Sequence, residues 1–251
     1  MMNPAEFGNI AESEANFWWY RGMRRIMFRL LDPIARQMRF DRVLEAGCGT
    51  GHFARELARR YGWPMFPLDL GWEGLEHARR YGLGRLAQGD ICALPYRDGS
   101  FDAVVSMDVV VHLPRGQEHL PMREMARVLR PGGLLVLRVS ALDILRSRHS
   151  EFAMERQRFT RSRLKRLAAS SGFAVQRISY ANSLLLPAAL AKFRVWEPLT
   201  RQPPASGVKP VPGWLDRLLY APLAVEAGWL GAGLNLPLGQ SLILLAKKHP
   251  D

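Results

Sequence analysis

The chain has 251 residues, 48% hydrophobic and 23% charged, a composition that excludes a disordered tail. Its two cysteines, Cys48 and Cys92, are too few for a disulfide framework and lack metal-ligand spacing. Lys and Arg outnumber Asp and Glu by 35 to 23, and the net charge of +12 suits anionic partners or an arginine-rich solvated surface.

The opening residues, MMNPAEFGNIAESEANFWWYRG, contain no basic stretch followed by an apolar segment, so the expected location is cytoplasmic. Helical spacing of Ile26, Leu30, Ile34 and Met38 predicts one N-terminal helix from about Glu12 to Met38. Strands and helices then alternate. Arg42 to Glu45 and Pro64 to Leu68 read as strands, each followed by a helix, His52 to Tyr61 and Glu73 to Tyr81. Leu86 to Gln88 is a short third strand, and Phe101 to Met107 a fourth, apolar enough for burial on both faces. An amphipathic helix over Arg115 to Leu129 stops at Arg130-Pro131-Gly132-Gly133, and Leu134 to Val139 is a fifth strand. Thr160 caps a helix that runs to Ser171 and Gly172, before strands at Phe173 to Tyr180 and Ser241 to Lys247.

This alternation predicts an α/β fold, a parallel sheet with helices on both faces. Residues 181–240 break the rhythm with an apolar stretch interrupted by Pro187, Pro198, Pro203, Pro204, Pro210, Pro212, Pro222 and Pro237. A single domain is expected: a helical lid over 1–40, a cofactor-binding core over 41–180, a helical insertion over 181–240 and a last strand over 241–251. The insertion suits a pocket wall, a homodimer surface or a peripheral membrane contact; it is too short and too broken for a transmembrane helix.

Val43-Leu44-Glu45-Ala46-Gly47-Cys48-Gly49-Thr50-Gly51 runs from strand to helix with glycines at alternate positions. Dinucleotide loops are spaced G-x-G-x-x-G and face a pyrophosphate. Here the spacing is G-x-G-x-G, and Glu45 ahead of it would repel a pyrophosphate while suiting the amino group and sulfonium of S-adenosylmethionine. Asp69 ends the second strand, where a carboxylate can accept both hydroxyls of a ribose. Asp90, followed by Ile91, stands after the third strand, placed for an adenine amino group. Leu70 and Met107 lie beside them at strand ends, where open α/β sheets bind ligands. Trp72 either flanks the adenine or simply starts a surface helix. Cys48 fits the loop as a small buried residue without reactivity.

VLEAGCGTG, the strand ending in Asp69, QGDICALPYRDGSFDAVVSMDVVVHL and VLRPGGLLVL resemble the successive motifs of class I S-adenosylmethionine-dependent methyltransferases. The resemblance is to the type 11-like group that includes quinone and small-molecule enzymes, and it covers residues 40 to 140. It implies a Rossmann-like seven-stranded sheet with the last strand antiparallel, and S-adenosyl-L-methionine as cofactor. It also implies Glu45, Gly47, Gly49, Gly51, Asp69, Asp90 and Ile91 as cofactor contacts. FWWYRGMRRIM is similar to the tryptophan-rich helix of one bacterial subgroup, whose members carry S-x-H-D and then H-R-R-R-Y-T after the fifth strand. This chain has Ser147-Arg148-His149-Ser150 and Glu155-Arg156-Gln157-Arg158-Phe159-Thr160, which keep the first His but replace the Asp and the second His. No metal is expected. The segment ending in Asn182 also resembles the subgroup.

On the acceptor side, His112 is a candidate general base or a residue packing its turn, and His149 is a second candidate. The run Phe17-Trp18-Trp19-Tyr20 cannot all face one side of a helix, so it either covers the cleft as a lid or packs on the sheet. The fourth strand lacks the Asn/Asp-Pro-Pro-aromatic motif used on base amino groups, which argues against nucleic acid. The expected activity is methyl transfer to O, N, C or S of a small molecule, apolar or aromatic. The alternatives are a lipid or isoprenoid-linked acceptor at a membrane surface, and a non-catalytic RNA- or membrane-binding relative.

Overall fold

The apolar runs between turn residues become the strands of one sheet. A computed structural model describes residues 3–208 and 211–250, so Pro210 lies outside the described residues. Strands β1 (Val43–Ala46), β2 (Met65–Asp69), β3 (Ala87–Gln88), β4 (Phe101–Met107), β5 (Leu129–Ser140), β6 (Phe173–Ala181) and β7 (Ser241–Lys248) stand in the order β3-β2-β1-β4-β5-β7-β6. β1 to β5 pair in parallel, while β7 is antiparallel to both of its neighbours. The order reverses beside β1, which opens a crevice at the carboxyl ends of β1 and β4.

Alternate residues of the central strands feed two cores. Leu44, Val104 and Leu135 join one with Met122, Met125 and Leu164 of helices α5 (His119–Val128) and α7 (Arg161–Ser170). Val43, Val105 and Val136 join the other with helices α2 (Trp18–Gln37), α3 (His52–Tyr61) and α10 (Gly213–Gly231), through Ile26, Leu30, Leu57 and Leu223. α10 lies so close on α2 that a Cβ added to Gly22 would stand 2.3 Å from Leu223 Cδ1.

The N-terminal stretch is two helices, not one. Helix α1 (Pro4–Ser13) precedes α2, and the chain turns at residues 14–17. Pro4 opens α1, whose Asn3 cap accepts from the Ala5 amide at 3.1 Å. The turn lets Glu14 reach inward to Thr50, and Phe17, in an extended conformation, restarts the helix. β5 begins at Leu129, earlier than expected, because the Arg130-Pro131-Gly132-Gly133 stop is drawn into the strand across a register shift against β4. Helix α4 (Trp72–Arg80) follows β2, and the short α6 (Arg148–Phe152) follows β5. The insertion holds α8 (Leu186–Ala191), a wide turn over Lys192–Trp196, α9 (Glu197–Thr200) and α10.

Candidate active site

After β1, the Gly47 and Cys48 amides donate to the Leu68 carbonyl at 2.8 and 2.9 Å, which turns the loop back over β2. Gly47, Gly49 and Gly51 have φ of 81°, 54° and 77°. A Cβ on Gly47 would come within 2.4 Å of Val109, and one on Gly51 within 2.6 Å of the Ala78 methyl. Gly51 therefore seats α4 against the loop. Gly47 and Gly49 line the cleft.

Glu45 is buried, and its Oε2 has no hydrogen-bond partner. Burial, reinforced by the nearby Asp69 and Glu14 carboxylates, holds its pKa well above the ordinary range. Asp69 accepts from the Gly49 amide at 2.7 Å through Oδ2 and from the Gly71 amide at 2.8 Å through Oδ1. Each oxygen keeps a lone pair for a further donor. Burial raises its pKa as well. Asp90 is exposed and accepts from the Cys92 amide at 2.8 Å, beside the buried Ile91. Leu70 and Met107 complete this end of the cleft. Trp72 is absent from the wall; it is 49% exposed, with the Arg79 guanidinium 5.8 Å from its ring. The Cys48 thiol is pushed well up by burial, consistent with an unreactive packing residue.

One cavity of about 630 Å³ runs from this loop to the candidate acceptor residues. Phe17, Trp18, Trp19, Tyr20, His112, His149 and Asn182 all line it. The aromatic run lines the cavity, and Trp18 and Trp19 also pack against the second core. Arg138 of β5 lies under it, 4.9 Å from the Trp19 ring, and its Nε donates to Asp108 Oδ2 at 2.9 Å.

The two histidines differ in what their Nδ1 atoms do. His112 Nδ1 faces the Met154 carbonyl at 3.2 Å and so carries the proton, which leaves Nε2 as the basic nitrogen. Burial holds the His112 imidazole below its ordinary pKa, so it is neutral at physiological pH. His149 Nδ1 accepts from the Gly207 amide at 3.0 Å, so in the neutral ring the proton sits on Nε2. Asp108 and Asn182, at the ends of β4 and β6, both hold φ of 57°, in the left-handed region that Asp and Asn enter more readily than other residues with a Cβ. Each also has a buried side-chain oxygen without a partner, Oδ1 in both cases. Two buried oxygens without partners at one sheet edge are free to accept from a ligand in the cleft.

The sequence reading missed α1. Phe7 packs over the glycine loop and α4, 4.0 Å from where a Cβ on Gly49 would be and 2.8 Å from one on Gly74. Glu6 accepts from Ser206 at 2.9 Å, and Glu14 accepts from Thr50 at 2.5 Å and Tyr81 at 3.0 Å. Asparagine followed by proline was the available signal for its start. Arg138 was hidden inside an apolar strand and had none.

Residues 44–137 match the family described as "Methyltransferase domain". The chain carries a class I S-adenosylmethionine-dependent methyltransferase domain. A ubiquinone biosynthesis O-methyltransferase of Xanthomonas oryzae pv. oryzae is 33% identical over 150 residues, 52% of this chain and 62% of that protein. Methyltransferase GfsG of Streptomyces halstedii is 39% identical over 103 residues, 38% of this chain and 36% of the relative. The chain thus spans less than two thirds of the length of these curated relatives. A putative sarcosine dimethylglycine methyltransferase from Galdieria sulphuraria shares the fold, with a TM-score of 0.59 at 19% identity over 88% of this chain and 84% of that one. The methyltransferase domain's cleft residues fit the cofactor. The unpartnered Glu45 oxygen suits a cationic group, and the spare lone pairs of Asp69 suit a vicinal diol. Among the described residues no group of three or more His, Cys, Asp or Glu could hold a metal ion.

Proposed function

We propose that this protein methylates a small apolar or aromatic molecule at O, N, C or S. The observation that carries the reading is the continuity of one cavity from the glycine loop to the aromatic and histidine wall. When bound, S-adenosylmethionine supplies an electrophilic methyl group on a sulfonium. Glu45, Asp69, Asp90 and Ile91, with Gly47, Gly49, Leu70 and Met107, hold that cofactor, Phe7 and α1 closing over it. Phe17, Trp18, Trp19 and Tyr20 exclude water and hold the acceptor's apolar body, and Asn182 offers it a polar contact. The role of such a wall is to keep the nucleophile close and in line. His112 Nε2 takes the proton of a hydroxyl or similar nucleophile. His149 acts as a hydrogen-bond donor through Nε2.

A lipid or isoprenoid-linked acceptor is the second reading. It is favoured by the cavity roof, to which the insertion contributes Phe193, Pro203 and Val208, and by the similar Xanthomonas protein being named for ubiquinone biosynthesis. The intact acids of the glycine-loop end count against a non-catalytic relative. Titration calorimetry with S-adenosylhomocysteine, followed by mass spectrometry of phenol, carboxylate and quinol acceptors, tests the proposal. Heat of binding and a methyl mass shift are expected; absence of cofactor binding would sink it. A salt-sensitive shift of RNA with no methyl transfer would favour the RNA-binding alternative.

A further inference from the structure

A helix apolar on nearly all sides is ordinarily buried on all sides. α10 is not. Leu223, Ala227 and Leu230 are fully buried on the side packed against α2. On the opposite side Trp214, Leu218, Val225 and Trp229, at helical spacing, are 68%, 61%, 48% and 42% exposed. The wide turn and α9 add Val195, Trp196 and Leu199, the last 75% exposed. The two groups flank the segment that roofs the cavity, through Gln202, Pro203 and Ala205 to Val208. The start of α10 is fixed beside the aromatic run: Asp216 accepts from the Trp18 amide at 2.9 Å and pairs with Arg21.

The charges of this surface are sorted. Residues 186–234 contain three acids, Glu197, Asp216 and Glu226. All three are engaged inward: Glu197 accepts from the Arg148 amide at 3.0 Å, Asp216 holds α2, and the buried Glu226 accepts from the Ser183 and Leu184 amides at 2.7 Å. Lys192, Arg194, Arg201 and Arg217 are exposed. Large aromatic and aliphatic side chains among cations, without a free acid, match the chemistry of an anionic lipid interface. No described helix is long and apolar enough to cross a membrane.

We propose that the outer face of the insertion docks in the plane of an anionic bilayer, with the roofed cavity set against the lipid. The docking is independent of the methyl-transfer reading, and its test needs no acceptor. The full chain is floated with vesicles of phosphatidylcholine alone, or of phosphatidylcholine mixed with phosphatidylglycerol, at low and high salt. It should float with the mixed vesicles only, and salt should weaken the association. Trp214→Ser/Trp229→Ser and Trp196→Ser/Leu199→Ser should each reduce partitioning about tenfold, and Arg201→Glu/Arg217→Glu by at least about as much. Unchanged S-adenosylhomocysteine affinity and circular dichroism would establish that these variants fold. No flotation of the wild type, or wild-type flotation by the folded variants, overturns the proposal. So does a dimer in sizing experiments that the tryptophan variants dissolve while vesicles leave the wild type in the pellet.

Discussion

Glu14 joins three elements: it caps α1, and its carboxylate accepts from Thr50 in the glycine loop and from Tyr81 just beyond α4. Burial pushes its pKa from an ordinary value of 4.5 up to about 7, against the opposing pull of those hydrogen bonds and of Arg24. The folded state therefore binds the proton more tightly than the unfolded state, and this contribution to stability falls as pH rises between these two values. At about 1.36 kcal/mol per pKa unit, the ionised form costs about 3 kcal/mol above pH 7. Glutamine removes the titration and keeps both contacts, its amide donating to Thr50 and its carbonyl accepting from Tyr81. Glu14→Gln should thus flatten the pH dependence of stability across this window and raise stability at pH 8 by up to about 3 kcal/mol. The gain is capped by the energy that docks α1, because undocking the helix releases Glu14 to water before the rest unfolds. Urea unfolding at pH 5, 6, 7 and 8, with protease cleavage in residues 14–17 as a local probe, measures both limits. Parallel pH profiles for wild type and variant would refute the reasoning.

Asp69→Ala should weaken S-adenosylhomocysteine binding by about 3 kcal/mol, or about 100-fold, since it removes two acceptors and the anchors of two loop amides; near-normal affinity by calorimetry would undo the assignment. His112→Asn preserves a donor toward Met154 while removing Nε2, so turnover should fall about 100-fold at unchanged cofactor affinity. In the wild type the rate should rise with pH through a midpoint below the ordinary imidazole value, because burial lowers the His112 pKa. A rate in the variant equal to wild type returns His112 to packing. Gly22→Ala should cost about 1–3 kcal/mol by driving a methyl into Leu223, and Leu223→Ala should recover part of that in a double-mutant cycle. Additive losses in urea melts would mean that α2 and α10 do not meet there.

What could be read in the sequence is what repeats locally. The strand-and-helix alternation from Val43 to Ser140, the glycine spacing and the acids after β1, β2 and β3 all depend on near neighbours in the chain. The antiparallel β7 came from resemblance alone, as no local pattern sets strand direction. Helix α1 was missed because Phe7 and Glu6 are buried only by contact with distant loops, so its residues lack a continuous apolar face. The packing of Gly51 on Ala78 could not be read either, because alternate glycines look alike in the sequence. The opposite tautomers of His112 and His149 depend on Met154 and Gly207, which sequence spacing does not bring together with them.

The position of β7 bears on how the domain can form. Among the described residues β6 has no strand neighbour other than β7, and β5 meets on that side the same strand, with Leu134 paired to Lys247. During synthesis β6 must therefore wait without a partner while the whole insertion is made, its apolar surface and the open edge of β5 available to other chains. A truncation before Ser241 should consequently yield an aggregating product, not a smaller working domain. Inserting the last-made of these strands between two earlier ones makes completion of the sheet an all-or-none event, governed by contacts far apart in sequence.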